Sequence, residues 1–399
     1  MGLEQPANVD ATKHAMITAA MRPWIRALMR THYVGDSQKP RKRSYPMKRE
    51  DNAAIPSNGR SMKSESKVRA SLPEGLTADT LRDMYYRMVL TRLCDDRAFA
   101  LNRQGKIPFA ATCQGHEAAQ VGAAFALKRG TDWVVPYYRD TALALAYGVT
   151  PREQLMCLFA RKDDVFSSGR QFPNHYSVPR CNIASISSII AAHVTHGVGM
   201  ALAFMMRKQP IVTLITFGEG STSEGEWHEA LNFAGVHKVP AVFLCENNEF
   251  AISVPQKLQM AIANVADRAA GYGFPGVICD GTDPVATFTV VHEAVERARK
   301  GEGPTLIEAK CYRAMSHTSD DNQATYRTSQ EIEALKTRDP IPRFEGWLKD
   351  RGFIDDETIA QFKKKAQAEV DEATDWAEEQ APPTEEDLYA HLYASGPLS

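Results

Sequence analysis

Residues 211–217 (IVTLITF) are apolar or β-branched at every position. A strand of that kind is buried on both faces, as in a parallel sheet covered by helices. A helix over 223–238 follows, with Ser223-x-x-Glu226 at capping-box spacing. A second apolar strand, 240–245, comes next, and strand–helix alternation continues through 276–279, 284–300 and 304–310. This punctuation predicts an α/β fold: a mostly parallel sheet with helices on both faces.

Upstream, Leu81, Met84, Tyr85, Met88, Val89 and Leu93 recur at helical spacing, and Thr77 or Asp79 can cap that helix. Segments 116–128, 141–159 and 190–206 also read as helices. Beyond 330 the chain is charged and helical over 331–350 and 356–378. It ends in an acidic segment in which Leu388, Tyr389, Leu392 and Tyr393 can dock. The expected organisation is a basic tail over 1–72, an α/β domain over 73–330, and a helical extension over 331–399. That extension is expected to pack on the main domain or on a partner subunit.

Charge follows this plan. Residues 1–70 hold 14 Lys and Arg against 6 Asp and Glu, although the whole chain is at −2. The body is therefore acidic, which argues against nucleic acid as the main partner and makes any phosphate site local. The KPRKR run (39–43) reads as a solvated tail. Residues 15–31 are Arg-rich, amphipathic and free of acids, as an organelle transit peptide is. Glu4 and Asp10 ahead of them weaken that reading, and Met47 and Met62 are alternative starts. The seven cysteines are widely spaced with no C-x-x-C pair, which reads as reduced thiols without a disulfide framework or zinc site. No apolar run reaches the roughly 18 residues of a membrane span. A cytoplasmic bacterial protein is expected, with the mitochondrial matrix as the alternative.

The strand 211–217 runs into Gly218-Glu219-Gly220. Glycines there let the backbone turn tightly and approach a ligand. The helix that follows is expected to present free N–H groups, a ready anion site at the carboxyl edge of a parallel strand. A carboxylate beside a phosphate makes sense only with a divalent cation between them. Hard oxygens from Glu219 and an Asn side chain, with diphosphate and water, suit octahedral Mg²⁺. After 26 intervening residues (221–246) comes Asn247-Asn248, at the end of the next buried strand. One helix and one strand separate the two ligand groups, so both fall at adjacent strand ends. An ordinary strand–turn–helix with surface Glu and Asn is the plainer reading, and the spacing of the Asn pair outweighs it.

The segment GEGSTSEGEWHEALNFAGVHKVPAVFLCENNEFAISVP (218–255) resembles the thiamine diphosphate motif. More closely, the chain resembles the alpha subunit of the first component of 2-oxo acid dehydrogenases, of the pyruvate and branched-chain class, over roughly 77–395. The resemblance implies that Glu219, Asn248 and the Phe250 carbonyl bind Mg²⁺. It implies that Gly218 belongs to the cofactor site and that the Gly220 and Ser221 amides hold the diphosphate. Glu246 departs from relatives that carry Arg there as a phosphate partner, so that contact is lost or supplied elsewhere.

Further motifs carry the same resemblance. Tyr138-Arg139 in VVPYYRDT resembles a pair that grips the diphosphate, for which the Arg fork is suited. GRQFPNHYS (169–177) makes His175 a candidate wall of the active site. SISSIIAA (185–192) places Ile190 near the aminopyrimidine. The loop Tyr312-Arg313-Ala314-Met315-Ser316-His317-Thr318-Ser319-Asp320-Asp321 offers His317, a group that titrates near neutrality, as acid/base or intermediate-stabilising residue. Asp320 is expected to order that loop. Thr318 or Ser319 lies where some mitochondrial relatives are phosphorylated. Phe109 and Gln114 sit where the family lines its substrate entrance.

The resemblance implies thiamine diphosphate chemistry, in which the cofactor carbon attacks a 2-oxo carbonyl and its ring accepts electrons as CO₂ leaves. It implies a beta subunit that donates the activating carboxylate, a heterotetramer of two alpha and two beta chains, and acyl transfer to a lipoyl-bearing second component. HTSDDN, GEG and CENN look more like branched-chain members. The expected substrate is therefore a small 2-oxo acid of the 3-methyl-2-oxobutanoate class. Pyruvate is the alternative, acetoin dehydrogenase a weaker third. A non-catalytic scaffold subunit is the reading of another class, and the intact Glu219, Asn248, Arg139 and His317 set argues against it.

Overall fold

The computed structural model describes residues 72–390. The basic tail, the 15–31 segment, the alternative starts, Leu392 and Tyr393 lie outside the described residues. Helix α1 spans Ala78–Arg103, and Thr77 caps it by accepting a hydrogen bond from the Thr80 N–H at 3.1 Å. Helix α2 is Glu117–Ala126 and strand β1 is Trp133–Val135. The single helix expected over 141–159 is two, α3 (Thr141–Tyr147) and α4 (Pro151–Leu158). Gly148, at φ +126°, ends the first, and a Thr150–Glu153 capping box with Pro151 starts the second.

Helix α5 is Ala192–Met206 and strand β2 is Thr213–Gly218. A 3₁₀ turn, Glu219–Ser223, then intervenes before α6, Gly225–His237. This corrects the expected capping box. Residues 219–223 are used in the turn, where the Thr222 hydroxyl donates to the Glu219 carbonyl at 2.8 Å. Ser223 instead accepts a hydrogen bond from Gln259 at 3.0 Å, and no side chain caps α6.

Strand β3 is Ala241–Asn247, followed by a hairpin of β4 (Phe250–Ala251) and β5 (Val254–Pro255) and a short helix α7 (Gln256–Gln259). Strand β6 is Gly276–Asp280, α8 is Pro284–Arg299 capped by Asp283, and β7 is Thr305–Lys310. Helices α9 (Ser329–Leu335), α10 (Pro340–Asp350), α11 (Asp356–Glu379) and α12 (Glu385–Tyr389) complete the described chain.

The main sheet is parallel throughout, in the order β1-β2-β3-β7-β6. Alternate residues of its strands enter two different cores, as side chains of period two must. Leu214, Val242, Leu244 and Ile307 pack with α1, α2, α3 and α8. Ile215, Phe217, Phe243, Cys245 and Leu306 pack with Val194 and Val198 of α5 and Trp227 and Leu231 of α6. Helices thus cover both faces. Ala373 and Ala377 of α11 join Ala98 and Leu101 of α1 and Leu155 and Leu158 of α4 in a third cluster. Helices α2 and α8 approach closely because position 122 is Gly: a Cβ there would stand 2.5 Å from the Pro284 carbonyl oxygen. All seven cysteines are free thiols.

Candidate active site

Parallel strands deliver their carboxyl ends to one edge of the sheet, where ligands of open α/β sheets bind. Gly218, at the end of β2, pairs in register with Glu246 near the end of β3, so the two halves of the glycine–asparagine pattern meet. A cavity of about 570 Å³ opens over this edge. Tyr138, Arg139, His175, Ile190, Gly218, Glu219, Gly220, Ser221, Asn248, Phe250 and His317 all line it. The sequence thus anticipated a set that the fold brings together. Phe109 lines it too. Gln114 does not: it is buried and its amide donates to Asp96 at 2.8 Å.

Glu219 and Asn248 give the cavity hard oxygen donors suited to a cation. Glu219 is 1% exposed. Its Oε2 accepts from the Asn248 N–H at 3.3 Å, while its Oε1 is buried without a partner. Burial pushes Glu219 up to about 7, because an unpaired carboxylate is costly out of water. Asn248 Oδ1 accepts from the Phe250 N–H at 3.2 Å. Carboxylate, amide and carbonyl oxygens are hard donors, and Mg²⁺ ordinarily keeps substrate phosphate and water in its shell. Among the described residues no group of three or more His, Cys, Asp or Glu side chains is disposed for a metal. A cation at Glu219 would therefore complete its shell from its ligand and water, and the donors fit that. The amides here belong to the 3₁₀ turn rather than to a helix N-terminus, which corrects the expected anion site. Gly220 lets the turn sit against the β4–β5 hairpin, since a Cβ there would stand 3.0 Å from that of Ala251.

Two buried guanidiniums line the same cavity and lower Glu219 in opposition to its burial. Arg139 is 2% exposed; it donates to the Thr112 carbonyl at 2.7 Å and to the His317 carbonyl at 3.1 Å. Arg313 is 1% exposed; it donates to the Ile252 carbonyl and the Tyr326 hydroxyl, both at 2.8 Å. Burial and Arg139 pull Arg313 down to about 10. Arg313 carried no role in the sequence reading. Its only signal there was its place just beyond a strand end.

His317 stands between these two cations. Its Nδ1 lies 3.1 Å from Arg139 Nη2 and 3.4 Å from Arg313 Nη1. A guanidinium only donates, so Nδ1 accepts and the ring proton is on Nε2. Burial, with Arg139 and Arg313, pulls His317 down to about 3. This corrects the expectation of a group titrating near neutrality: His317 is a neutral N–H donor here. The loop is ordered by Asp321 rather than Asp320. Asp321 accepts from the His317 N–H at 2.7 Å and the Tyr326 hydroxyl at 2.5 Å. Thr318 lines the cavity, and Ser319 is tied to the backbone of Ala110.

His175 forms part of the wall. Its Nδ1 is 3.0 Å from the Phe172 carbonyl and its Nε2 is 2.6 Å from Ser188 Oγ. A carbonyl only accepts, so Nδ1 carries the proton and Nε2 takes the Ser188 hydroxyl. Phe172, Ile189 and Ile190 are exposed apolar side chains at the mouth. Ala191, Glu249 and Ile252 hold left-handed backbone at φ +68°, +69° and +57° around this site. Such strain concentrates where a fold over-determines a functional geometry. Glu246 is fully buried beneath the cavity and accepts from His116, Gln120 and Tyr137. Burial and Glu246 raise nearby Asp140 well above the usual carboxylate range. Position 246 does not line the cavity, whereas Arg313 does.

The family model described as "Dehydrogenase E1 component" matches residues 85–386. The chain belongs to the dehydrogenase E1 component family. It is 48% identical over 320 residues to the 2-oxoisovalerate dehydrogenase subunit alpha of Bacillus subtilis, covering 80% of this chain and 97% of that one. It is 40% identical over 289 residues to the 3-methyl-2-oxobutanoate dehydrogenase subunit alpha of Mycobacterium tuberculosis (72% and 75% coverage). The pyruvate dehydrogenase E1 component subunit alpha of Bacillus subtilis is 36% identical over 336 residues (84% and 87%). This is therefore an E1 alpha subunit of the 2-oxo acid dehydrogenase class, an oxidoreductase subunit, in a family that depends on thiamine diphosphate. As an alpha subunit it implies a beta partner.

Proposed function

We propose that this chain, with its beta subunit, decarboxylates 3-methyl-2-oxobutanoate and its branched homologues, holding thiamine diphosphate through Mg²⁺. The observation that carries the cofactor reading is the convergence of Glu219, with its partnerless oxygen, Asn248, Arg139, Arg313 and His317 on one cavity. The substrate reading leans on relatives named for branched-chain acids being more alike in sequence than those named for pyruvate. Pyruvate is the second reading.

Bound thiamine diphosphate supplies a carbon nucleophile and an electron sink for decarboxylation. Glu219, Asn248 and the Phe250 carbonyl would hold Mg²⁺. The Gly220 and Ser221 amides, Arg139 and Arg313 would hold the diphosphate, with Tyr138 beside them. His317 Nε2–H is a fixed donor for an oxygen that gains charge, in a site where a preorganised donor is worth more than in water. The apolar rim of Phe109, Phe172, Ile189 and Ile190 excludes water once covered. The beta subunit would cover it and contribute the activating carboxylate, in a heterotetramer of two alpha and two beta chains. The acyl group would pass to lipoyl on the second component. A bacterial cytoplasmic setting is our reading, and residues 1–72 lie outside this chemistry.

The test is turnover of the alpha–beta complex with 2-oxo acids derived from valine, leucine and alanine. Higher kcat/KM for the branched acids is the expected result. Preference for pyruvate would transfer the assignment to the second reading.

A further inference from the structure

A buried chain of hydrogen bonds leads to Asn248, and its polarity is anchored by backbone at both ends. The Ala142 N–H donates to Gln120 Oε1 at 3.0 Å, and Gln120 Nε2 donates to the Arg139 carbonyl at 3.1 Å. Backbone N–H can only donate and C=O can only accept, so the Gln120 amide has one orientation. The same Nε2 donates to Glu246 Oε2 at 2.8 Å, and the Tyr137 hydroxyl reaches that oxygen at 3.1 Å. As a carboxylate Glu246 only accepts, from both groups at Oε2. His116 Nδ1 stands 2.8 Å from it and must donate, which leaves Nε2 as a lone pair. That lone pair faces Asn248 Nδ2 at 3.3 Å. With its NH₂ engaged there, Asn248 turns Oδ1 the other way, where the Phe250 N–H meets it at 3.2 Å. Gln120, His116 and Glu246 are all 0% exposed.

We infer that Glu246 and His116 are positioning residues: through the His116 ring they hold Asn248 with its oxygen, not its NH₂, toward the divalent cation. The inference rests on the metal reading above and deepens it. The two ends of a primary amide differ little in shape, so its orientation is selected by its partners: the His116 lone pair on one side and the Phe250 N–H on the other. A wrongly turned amide would offer the cation two N–H groups in place of a ligand. The acidic residue at 246 thus serves the cation from below, while Arg139 and Arg313 face the cavity. His116 and Glu246 are 130 residues apart in sequence and meet only through the sheet.

The test is Mn²⁺ affinity, read by electron paramagnetic resonance, in the alpha–beta complex saturated with thiamine diphosphate. Loss of an outer-shell partner typically costs about 10–100-fold in metal affinity. His116→Phe should weaken Mn²⁺ binding by about tenfold or more on that scale. His116→Gln, which can donate to Glu246 and accept from Asn248 at once, should restore most of it. Asn248→Asp has oxygen at both ends and no orientation to hold. In that background His116→Phe should change Mn²⁺ affinity little. The inference fails if His116→Phe binds Mn²⁺ like the parent, or if it loses the same factor with Asp at 248, since that is general disruption. If the parent complex binds no Mn²⁺ in a thiamine-diphosphate-dependent way, the metal reading falls and takes this inference with it.

Discussion

His317 illustrates how the neighbours of a side chain decide its chemistry. In isolation an imidazole is a near-neutral acid/base. Between Arg139 and Arg313 it is a neutral donor, with its pKa pulled down to about 3. The sign of the consequence is fixed. The unfolded ring takes a proton near pH 6.5 and the folded one near 3, so between those values the unfolded chain holds the extra proton. Stability should fall as pH drops through that window. Urea midpoints at pH 7 and pH 5 should differ less for His317→Asn than for the parent, and equal differences would contradict the assignment. Arg313 gives a second test at this scale. Removing a charged hydrogen-bonding partner costs about 1.5–3 kcal/mol, or about tenfold to a hundredfold in Kd. Arg313→Ala should weaken thiamine diphosphate binding by that amount in calorimetry. Glu219 and Asn248 were legible in the sequence because a fixed spacing and a two-strand pattern placed both at one edge. Arg313 was not. Its burial depends on the β4–β5 hairpin, whose Ile252 carbonyl takes its guanidinium.

Among the elements, β2, β3, β6, β7 and most helices followed from burial pattern and period, while the short β1, β4 and β5 did not. The strands β2 and β3 could hardly be anything else, since most positions are apolar or β-branched and all but Gly218 are buried. Where expectation and structure part, a local competitor won. Gly148 and the Thr150–Glu153 box split one apolar helical stretch into α3 and α4. The 3₁₀ turn at 219–223 took residues that otherwise suited a helix cap. Thr150→Ala should cost about 1 kcal/mol of stability, the usual worth of such a cap. A lowered urea midpoint checks this, and an unchanged one would deny the cap its role. Gly122 makes a sharper test of the α2–α8 contact. Any Cβ there would stand 2.5 Å from the backbone oxygen of Pro284 and 3.0 Å from the Thr287 Cβ, neither of which a side-chain rotation can move. Gly122→Ala should therefore destabilise by about 1–3 kcal/mol, the range of overpacked cores, despite the better helix propensity of Ala.

At the scale of the whole molecule, the parallel sheet and its two helical layers were readable as a class but not as a strand order, and the packing of α11 on α1 and α4 was one of two expected placements. The order β1-β2-β3-β7-β6 depends on contacts between segments far apart in sequence. The charge distribution now has a physical reading. An acidic body can serve a diphosphate if buried cations such as Arg139 and Arg313 are local and a metal bridges the carboxylate. The apolar mouth formed by Phe172, Ile189 and Ile190 suits a site completed by another subunit. This chain alone should show no decarboxylation, and activity should appear on adding the beta subunit. Full turnover by the chain by itself would refute the division of labour.

The most direct test is calorimetric titration of thiamine diphosphate into the alpha–beta complex with Mg²⁺ and with a chelator, for the parent and for Glu219→Ala. Saturable binding that needs Mg²⁺ and is lost in Glu219→Ala is the expected result. Binding of equal strength without the metal, or undiminished in Glu219→Ala, would contradict a cofactor held through a cation at the end of β2.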